Sequence, residues 1–201
     1  MKIIGLCGGS GSGKGTVCSV FKTLGIPSID TDAVYRDMVS KDSPCLRALT
    51  LEFGKEILLD DGSLNRKLLA QIVFSGDDKE TKLKLLNSIS HKYILEETER
   101  IIDKYKQAGY FAAIIDAPVL FESGFNKKCD LTICVIANHE TRINRIVARD
   151  GITSRQASAR IASQKSDEEL ISLCDYYIEN NGDFDSLFNT VSAIKKHIFD
   201  N

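Results

Sequence analysis

Hydrophobic positions along this 201-residue chain fall into two alternating patterns. Short apolar runs closed by glycine or an acid read as buried strands. Runs with apolar positions three and four apart read as helices with one seated face. Residues 2–7 form the first strand, which runs directly into glycines. Between 13 and 24, Val17, Val20, Phe21 and Leu24 share a helical face, and Gly25-Ile26-Pro27 stops that helix. Ser28–Asp30 predicts a second strand and 33–39 a second helix. Ala112–Asp116 and Leu131–Ile136 predict two more strands, the latter rich in β-branched residues. A short strand at 176–178 and an amphipathic helix over 184–199 close the chain.

Residues 62–108 lack any strand pattern. Leu64, Leu68, Leu69, Ile72 and Val73 mark one helix there. Leu83, Leu85, Leu86, Ile89, Tyr93, Ile94, Ile101 and Ile102 mark a longer one, with a break allowed near His91. After the strand at 131–136 come two basic helices separated by Gly151. In the first, Arg142, Arg145 and Arg149 recur at i, i+3 and i+7 and so share a face, while Ile143 and Val147 can seat the helix elsewhere. The second opens on Thr153-Ser154-Arg155-Gln156, which has the form of a capping box. Strands alternating with helices predict an α/β fold, a parallel sheet between helical layers. The expected organisation is a core of 1–61, 109–137 and 168–201, a helical insertion at 62–108 and a lid at 138–167.

Charge sharpens this picture. The net charge is −2, so nothing global draws nucleic acid or a membrane surface. Residues 142–165 nevertheless hold six bases against the single acid Asp150, a local +5 that leaves −7 for the rest. A mildly acidic protein with one dense cationic segment suits a compact polyanion. Apolar runs are too short to span a bilayer, and glycines follow Met1 too soon for a signal-peptide core, so the expected location is the cytoplasm. The six cysteines form no CxxC pair or zinc spacing and read as free thiols in a reducing compartment.

The chemistry begins at Gly8-Gly9-Ser10-Gly11-Ser12-Gly13-Lys14-Gly15-Thr16, between a predicted strand and a predicted helix. Glycines let the backbone wrap a phosphate with its N–H groups inward, and the helix N-terminus adds unsatisfied donors and its positive dipole end. Lys14 would reach the β- and γ-phosphates of ATP. Gly15 stands where Ser or Thr usually follows the lysine, with Thr16 one place later as a hydroxyl for Mg²⁺. The fold expected is therefore the P-loop three-layer sandwich.

Carboxylates narrow the reaction class. Asp30 and Asp32 stand at the end of the second strand, and a kinase acting on an alcohol needs one carboxylate to orient the hydroxyl and take its proton. Asp32 is the candidate, and N-capping the next helix is its other open role. Asp116 ends the third strand, where it can hold Mg²⁺ or begin a turn before Pro118. The arginine face at 142, 145 and 149 suits a lid over ATP, and a solvated basic face is the alternative.

With these residues assembled, the chain resembles the dephospho-coenzyme A kinase family nearly end to end. The similarity covers the phosphate loop, Asp30-Thr31-Asp32 with Arg36, and Leu64-Asn65-Arg66 with Val73-Phe74-Ser75. It continues through Asp116-Ala117-Pro118-Val119-Leu120-Phe121-Glu122, the lid from Arg145 to Gln164, and the segment from Asp175 to Gly182. The resemblance implies phosphorylation of the ribose 3′-hydroxyl of dephospho-CoA by Mg·ATP. It implies Asp32 as base, Lys14 with Arg145 or Arg149 as catalytic cations, and a dephospho-CoA site using Asp30, Arg36, Arg66, Phe74, His91 and Pro118. ATP would be held by Gly8, Gly11, Ser12, Gly13, Lys14, Gly15, Thr16 and Arg142, with Asn180 and Gly182 near the adenine and Thr16 and Asp116 at the metal. Lys92 departs from the proline usual after this histidine. The partners implied are these small molecules, with no nucleic acid, membrane or obligate protein. A nucleoside-monophosphate or other small-metabolite kinase is the nearest alternative, and a P-loop module that binds ATP without transferring it is one of another class.

Overall fold

The structure, a computed structural model, describes residues 1–200. Five strands, β1 (Lys2–Gly8), β2 (Ser28–Asp30), β3 (Ala112–Asp116), β4 (Leu131–Ile136) and β5 (Tyr176–Glu179), form one sheet in the order β2-β3-β1-β4-β5. β1 is central and pairs in parallel with β3 and β4, and β4 pairs in parallel with β5. From β1 the chain goes to the sheet edge at β2, returns to β3 beside β1, and then crosses to β4 and β5 on the other side. Such a reversal opens a crevice at the carboxyl ends of the strands, here beside the end of β1.

Nine helices accompany the sheet among the described residues: α1 (Lys14–Thr23), α2 (Thr31–Met38), α3 (Pro44–Phe53), α4 (Arg66–Phe74), α5 (Lys79–Gln107), α6 (His139–Asp150), α7 (Ser154–Ala162), α8 (Asp167–Leu173) and α9 (Phe184–Phe199). Ile4 and Leu6 of β1 join Val17, Val20 and Phe21 of α1 and Leu187, Val191 and Ile198 of α9 in one core. Alternation along β1 turns Gly5 to the opposite face, where a side chain would strike Leu120 and Cys129. α8 packs against β4. No helix among the described residues is long and apolar enough to cross a membrane.

The chain gathers into two compact units, one of Met1–Ile29 together with 105–200, the other Asp30–Lys104. The second unit takes in 30–61 as well as the helices beyond. α3, absent from the sequence expectation, buries Leu46, Leu49 and Phe53 against Leu64, Leu69 and Val73. Ser43 caps α3, and Pro44 occupies its first turn.

Two expectations need correction. α5 runs unbroken through His91, because Ser90, Ile94, Thr98 and Ile102 recur every fourth residue as one continuous buried stripe and no proline interrupts it. Asp30 and Asp32 do not both stand at the end of the strand, since α2 begins at Thr31 and only Asp30 remains in β2. The six cysteines are free thiols, with Cys7 Sγ 3.6 Å from Cys174 Sγ.

Candidate active site

The loop between β1 and α1 turns back on itself through an Ser12 N–H to Gly9 O bond of 3.1 Å, and Gly11 and Gly13 take left-handed φ values of 78° and 86°. Gly13 is the N-cap of α1, so the helix opens on a residue with no side chain to cover its free N–H groups. Ser12 Oγ is buried within the loop without a hydrogen-bond partner. Lys14, in the first turn, pairs with Asp116 at the end of β3, and the Cys18 thiol donates to the other oxygen of Asp116 at 3.5 Å. Both members of that ion pair are largely shielded, at 16% and 13% side-chain exposure. Gly15 faces open space and Thr16 is exposed, so the departure at Gly15 answers no steric demand.

The outer wall of the loop comes from much later in the chain. Arg142, only 4% exposed, donates from Nε to Ser10 O at 2.9 Å and pairs with Asp167 at 3.1 Å. Gln164 Oε1 accepts the Ser10 N–H at 2.8 Å. Arg145 Nη1 donates to Gly11 O and Ser12 O at 3.3 and 3.2 Å, and Asn180 Nδ2 donates to Ser12 O at 2.8 Å. Asn180 is likewise buried at 4%, and the Asn138 N–H donates to Asn181 Oδ1, joining the segment that contains Gly182 to the start of α6.

α6 is seated by Ile146, with Ile143 and Val147 beside it, on Ala157 and Ile161 of α7. Thr153 and Gln156 make the capping box that starts α7. The three arginines of the predicted face part company. Arg142 and Arg145 engage the loop, whereas Arg149, 60% exposed, binds Asp150 through two hydrogen bonds of 2.7 and 2.9 Å, and Arg160 joins the same carboxylate. Those two guanidinium groups hold the Asp150 carboxyl well below the usual range.

Gly11 shows how tightly the wall fits. A Cβ there would lie 2.6 Å from Arg142 O and 2.9 Å from its Cα, both backbone atoms of a packed helix. Gly11→Ala should therefore lower stability by about 1–3 kcal/mol, from left-handed strain and overpacking together. It should also raise the ATP dissociation constant at least about tenfold. Urea unfolding and calorimetric ATP titration read the two effects, and wild-type values in both would show that the wall yields.

Pro118 is exposed and lines a cavity of about 300 Å³ with Gly8, Gly9, Phe121 and Gln164. The remaining candidates lie in the Asp30–Lys104 unit. Asp30 caps α2, accepting the N–H groups of Asp32 and Ala33 at 2.9 and 3.0 Å, and stands 3.7 Å from Arg36. The capping role open to Asp32 thus belongs to Asp30, and Asp32 stands exposed in the first turn. The Arg66 guanidinium lies over the Tyr35 ring at 5.8 Å, and Phe74 ends α4 63% exposed. Burial lowers the His91 pKa below its ordinary value.

The sequence placed Gln164 at the end of the expected lid without a contact of its own and gave no part to Asp167. The one signal for them was their place at the end of the cationic segment, where polar residues meet no apolar stripe. Among the described residues no group of His, Cys, Asp or Glu forms a ready metal cluster.

Comparison with known proteins agrees with this geometry. A model of the dephospho-CoA kinase family matches residues 2–186. A dephospho-CoA kinase of Corynebacterium efficiens is 40% identical over 184 residues, which cover 92% of this chain and 90% of that one. A crystal structure of a Thermus thermophilus protein superposes with a TM-score of 0.80 at 28% identity, over 98% of this chain and 97% of that one. A dephospho-CoA kinase from Campylobacter jejuni shares the fold, with a TM-score of 0.70 at 22% identity over 98% of both chains.

Proposed function

The chain belongs to the dephospho-CoA kinase family, and from that membership we propose how its residues divide the reaction. The enzyme moves the γ-phosphoryl group of ATP to dephospho-CoA, and coenzyme A and ADP result. The observation that carries the residue assignment is the glycine loop at the β1–α1 junction, with Lys14 beside Asp116.

Phosphoryl transfer passes through a loose transition state, so the protein's work is positioning and charge stabilisation. Inward N–H groups of the loop and the start of α1 hold the phosphates of ATP, and Lys14 supplies a point charge at the β- and γ-phosphates. Arg145 already lies against the loop carbonyls and is the lid arginine that stabilises the transferring group. Arg142 serves the nucleotide through the loop, and Asn180 and Gly182 border the base. Asp32 takes the proton of the ribose 3′-hydroxyl. Asp30, Arg36, Arg66, Phe74, His91 and Pro118 bind the rest of dephospho-CoA.

Magnesium fits the residues present. The Thr16 hydroxyl and the Asp116 carboxylate are oxygen donors of the kind Mg²⁺ prefers, directly or through water. When bound with ATP, the ion neutralises charge on the phosphate oxygens. The cytoplasm is the proposed location, and no partner beyond these small molecules enters the scheme.

The test is ADP release from purified protein with Mg·ATP, with and without dephospho-CoA, beside AMP and adenosine. Release that only dephospho-CoA stimulates, with CoA formed, is the expected result. Stimulation by AMP or adenosine instead would turn the reading toward a nucleotide or nucleoside kinase, and no stimulation by any acceptor would favour a binding module.

A further inference from the structure

We propose that Gln164 is a positioning residue for the phosphate loop, acting through the Ser10 peptide in concert with Arg142. The proposal rests on the reading that this loop holds ATP. Two peptide planes meet at Ser10, and each is gripped from outside. Gln164 Oε1 accepts the N–H at 2.8 Å, and Arg142 Nε donates to the carbonyl at 2.9 Å.

A trans peptide points its C=O and the following N–H in opposite directions. With Ser10 O drawn toward Arg142, the Gly11 N–H is turned away from the wall and into the loop. With Ser12 O drawn to Asn180 and Arg145, the Gly13 N–H is turned likewise. By the same rule Gln164, holding the Ser10 N–H outward, turns the Gly9 carbonyl inward, where it accepts the Ser12 N–H at 3.1 Å and closes the turn on which those donors sit.

The glutamine oxygen also lies 3.4 Å from Arg142 Nη2, so both neighbours require an acceptor there and the amide has one useful orientation. Asp167 supplies the charge partner of Arg142, which leaves Gln164 to act as a neutral acceptor. Gly9 bears the mark of this arrangement. A Cβ on it would fall 2.2 Å from Arg142 Nη2 and 3.3 Å from Gln164 Oε1. The bareness of Gly9 therefore serves the outer wall. Gln164 itself is exposed, between the last residue of α7 and the cap of α8, and belongs to no apolar core. Its polar contact with the loop is the part that substitution would change.

The experiment compares Gln164→Leu and Gln164→Glu with the wild type in ATP affinity by calorimetry, in kcat and both KM values, and in thermal unfolding. Gln164→Leu should weaken ATP binding about fivefold to tenfold, the worth of one neutral hydrogen bond. KM for ATP should rise in step, while KM for dephospho-CoA and the unfolding midpoint stay unchanged. Gln164→Glu keeps an acceptor at the Ser10 N–H and should restore ATP affinity to within about twofold. Wild-type ATP affinity in the leucine variant would overturn the proposal. So would a glutamate variant as weak as the leucine one, or a joint loss of unfolding temperature and both KM values. The calorimetric arm needs no acceptor. A wild type that binds ATP but transfers nothing to dephospho-CoA would overturn the proposed reaction and leave the result on Gln164 standing.

Discussion

Asp32→Asn is expected to bind ATP with wild-type affinity and to lose about 10²–10⁴-fold in kcat, the range of general acid–base catalysis. The change is close to isosteric, and the start of α2 should survive it. The N–H groups of Asp32 and Ala33 are held by the Asp30 carboxylate, which the substitution leaves in place. What disappears is a carboxylate able to orient the acceptor hydroxyl and take its proton. Calorimetry with ATP and a coupled ADP assay at saturating dephospho-CoA separate binding from turnover. A control sharpens the result. Asp30→Ala removes the cap and should cost about 1 kcal/mol of stability, whereas Asp30→Asn retains a good capping residue and should cost little. Near-wild-type turnover in Asp32→Asn would take that carboxylate out of the mechanism.

Lys14→Met is expected to reduce kcat by about 10²–10³-fold, as when one preorganised charge-stabilising donor is removed from a shielded site. ATP affinity should also fall, because the ammonium acts on the β-phosphate in the ground state as well as on the group in transfer. The Lys14–Asp116 pair adds a second consequence. Both side chains are largely withdrawn from water, so the variant deprives a shielded carboxylate of the cation beside it. Asp116→Asn in the Lys14→Met background should recover part of any lost stability without recovering turnover, and a double-mutant cycle in urea and in kcat reads the two separately. Lys14→Arg should not rescue, because a planar fork on a longer side chain is a different donor from a compact ammonium. Turnover within tenfold of the wild type in Lys14→Met would remove the lysine from the reacting phosphoryl group.

The phosphate loop was legible because its information is local. Nine consecutive residues with four glycines before a lysine dictate a turn that bares backbone N–H groups, and the apolar strand before it and helical face after it place that turn at a strand-to-helix junction. β1, β3 and β4 were legible for a similar reason, since buried parallel strands are short apolar runs. α3 and α8 escaped notice. α8 has seven residues and buries only Leu170, too little for a periodic stripe. α3 does carry helical spacing in Leu46, Leu49 and Phe53 behind its Ser43-Pro44 start, but it is short, Leu51 on it is exposed, and its seat exists only once Leu64, Leu69 and Val73 are brought to it.

The arginine segment marks the boundary between the two kinds of information. Helical spacing correctly put Arg142, Arg145 and Arg149 on neighbouring turns of one helix, but spacing cannot say which partner each meets. Arg142 is buried on Ser10, Arg145 shares two loop carbonyls, and Arg149 turns to the adjacent Asp150. Asp30 and Asp32 divide in the same way. Both stood out as acids at a strand end, and only the start of α2 at Thr31 made the first a cap and left the second in the exposed turn.

The sequence by itself determined the α/β architecture, the phosphate loop, the acids at the strand ends and the cationic segment, because each depends on side-chain order within a turn or two. Tertiary structure alone decided how the loop is held. Gln164 and Asn180 bind loop atoms 154 and 168 positions away, through contacts that exist only because the sheet order places β4 and β5 on one side of β1. A hydrogen bond needs a partner within about 3 Å, and no periodicity along a chain encodes which distant residue will be folded into that reach.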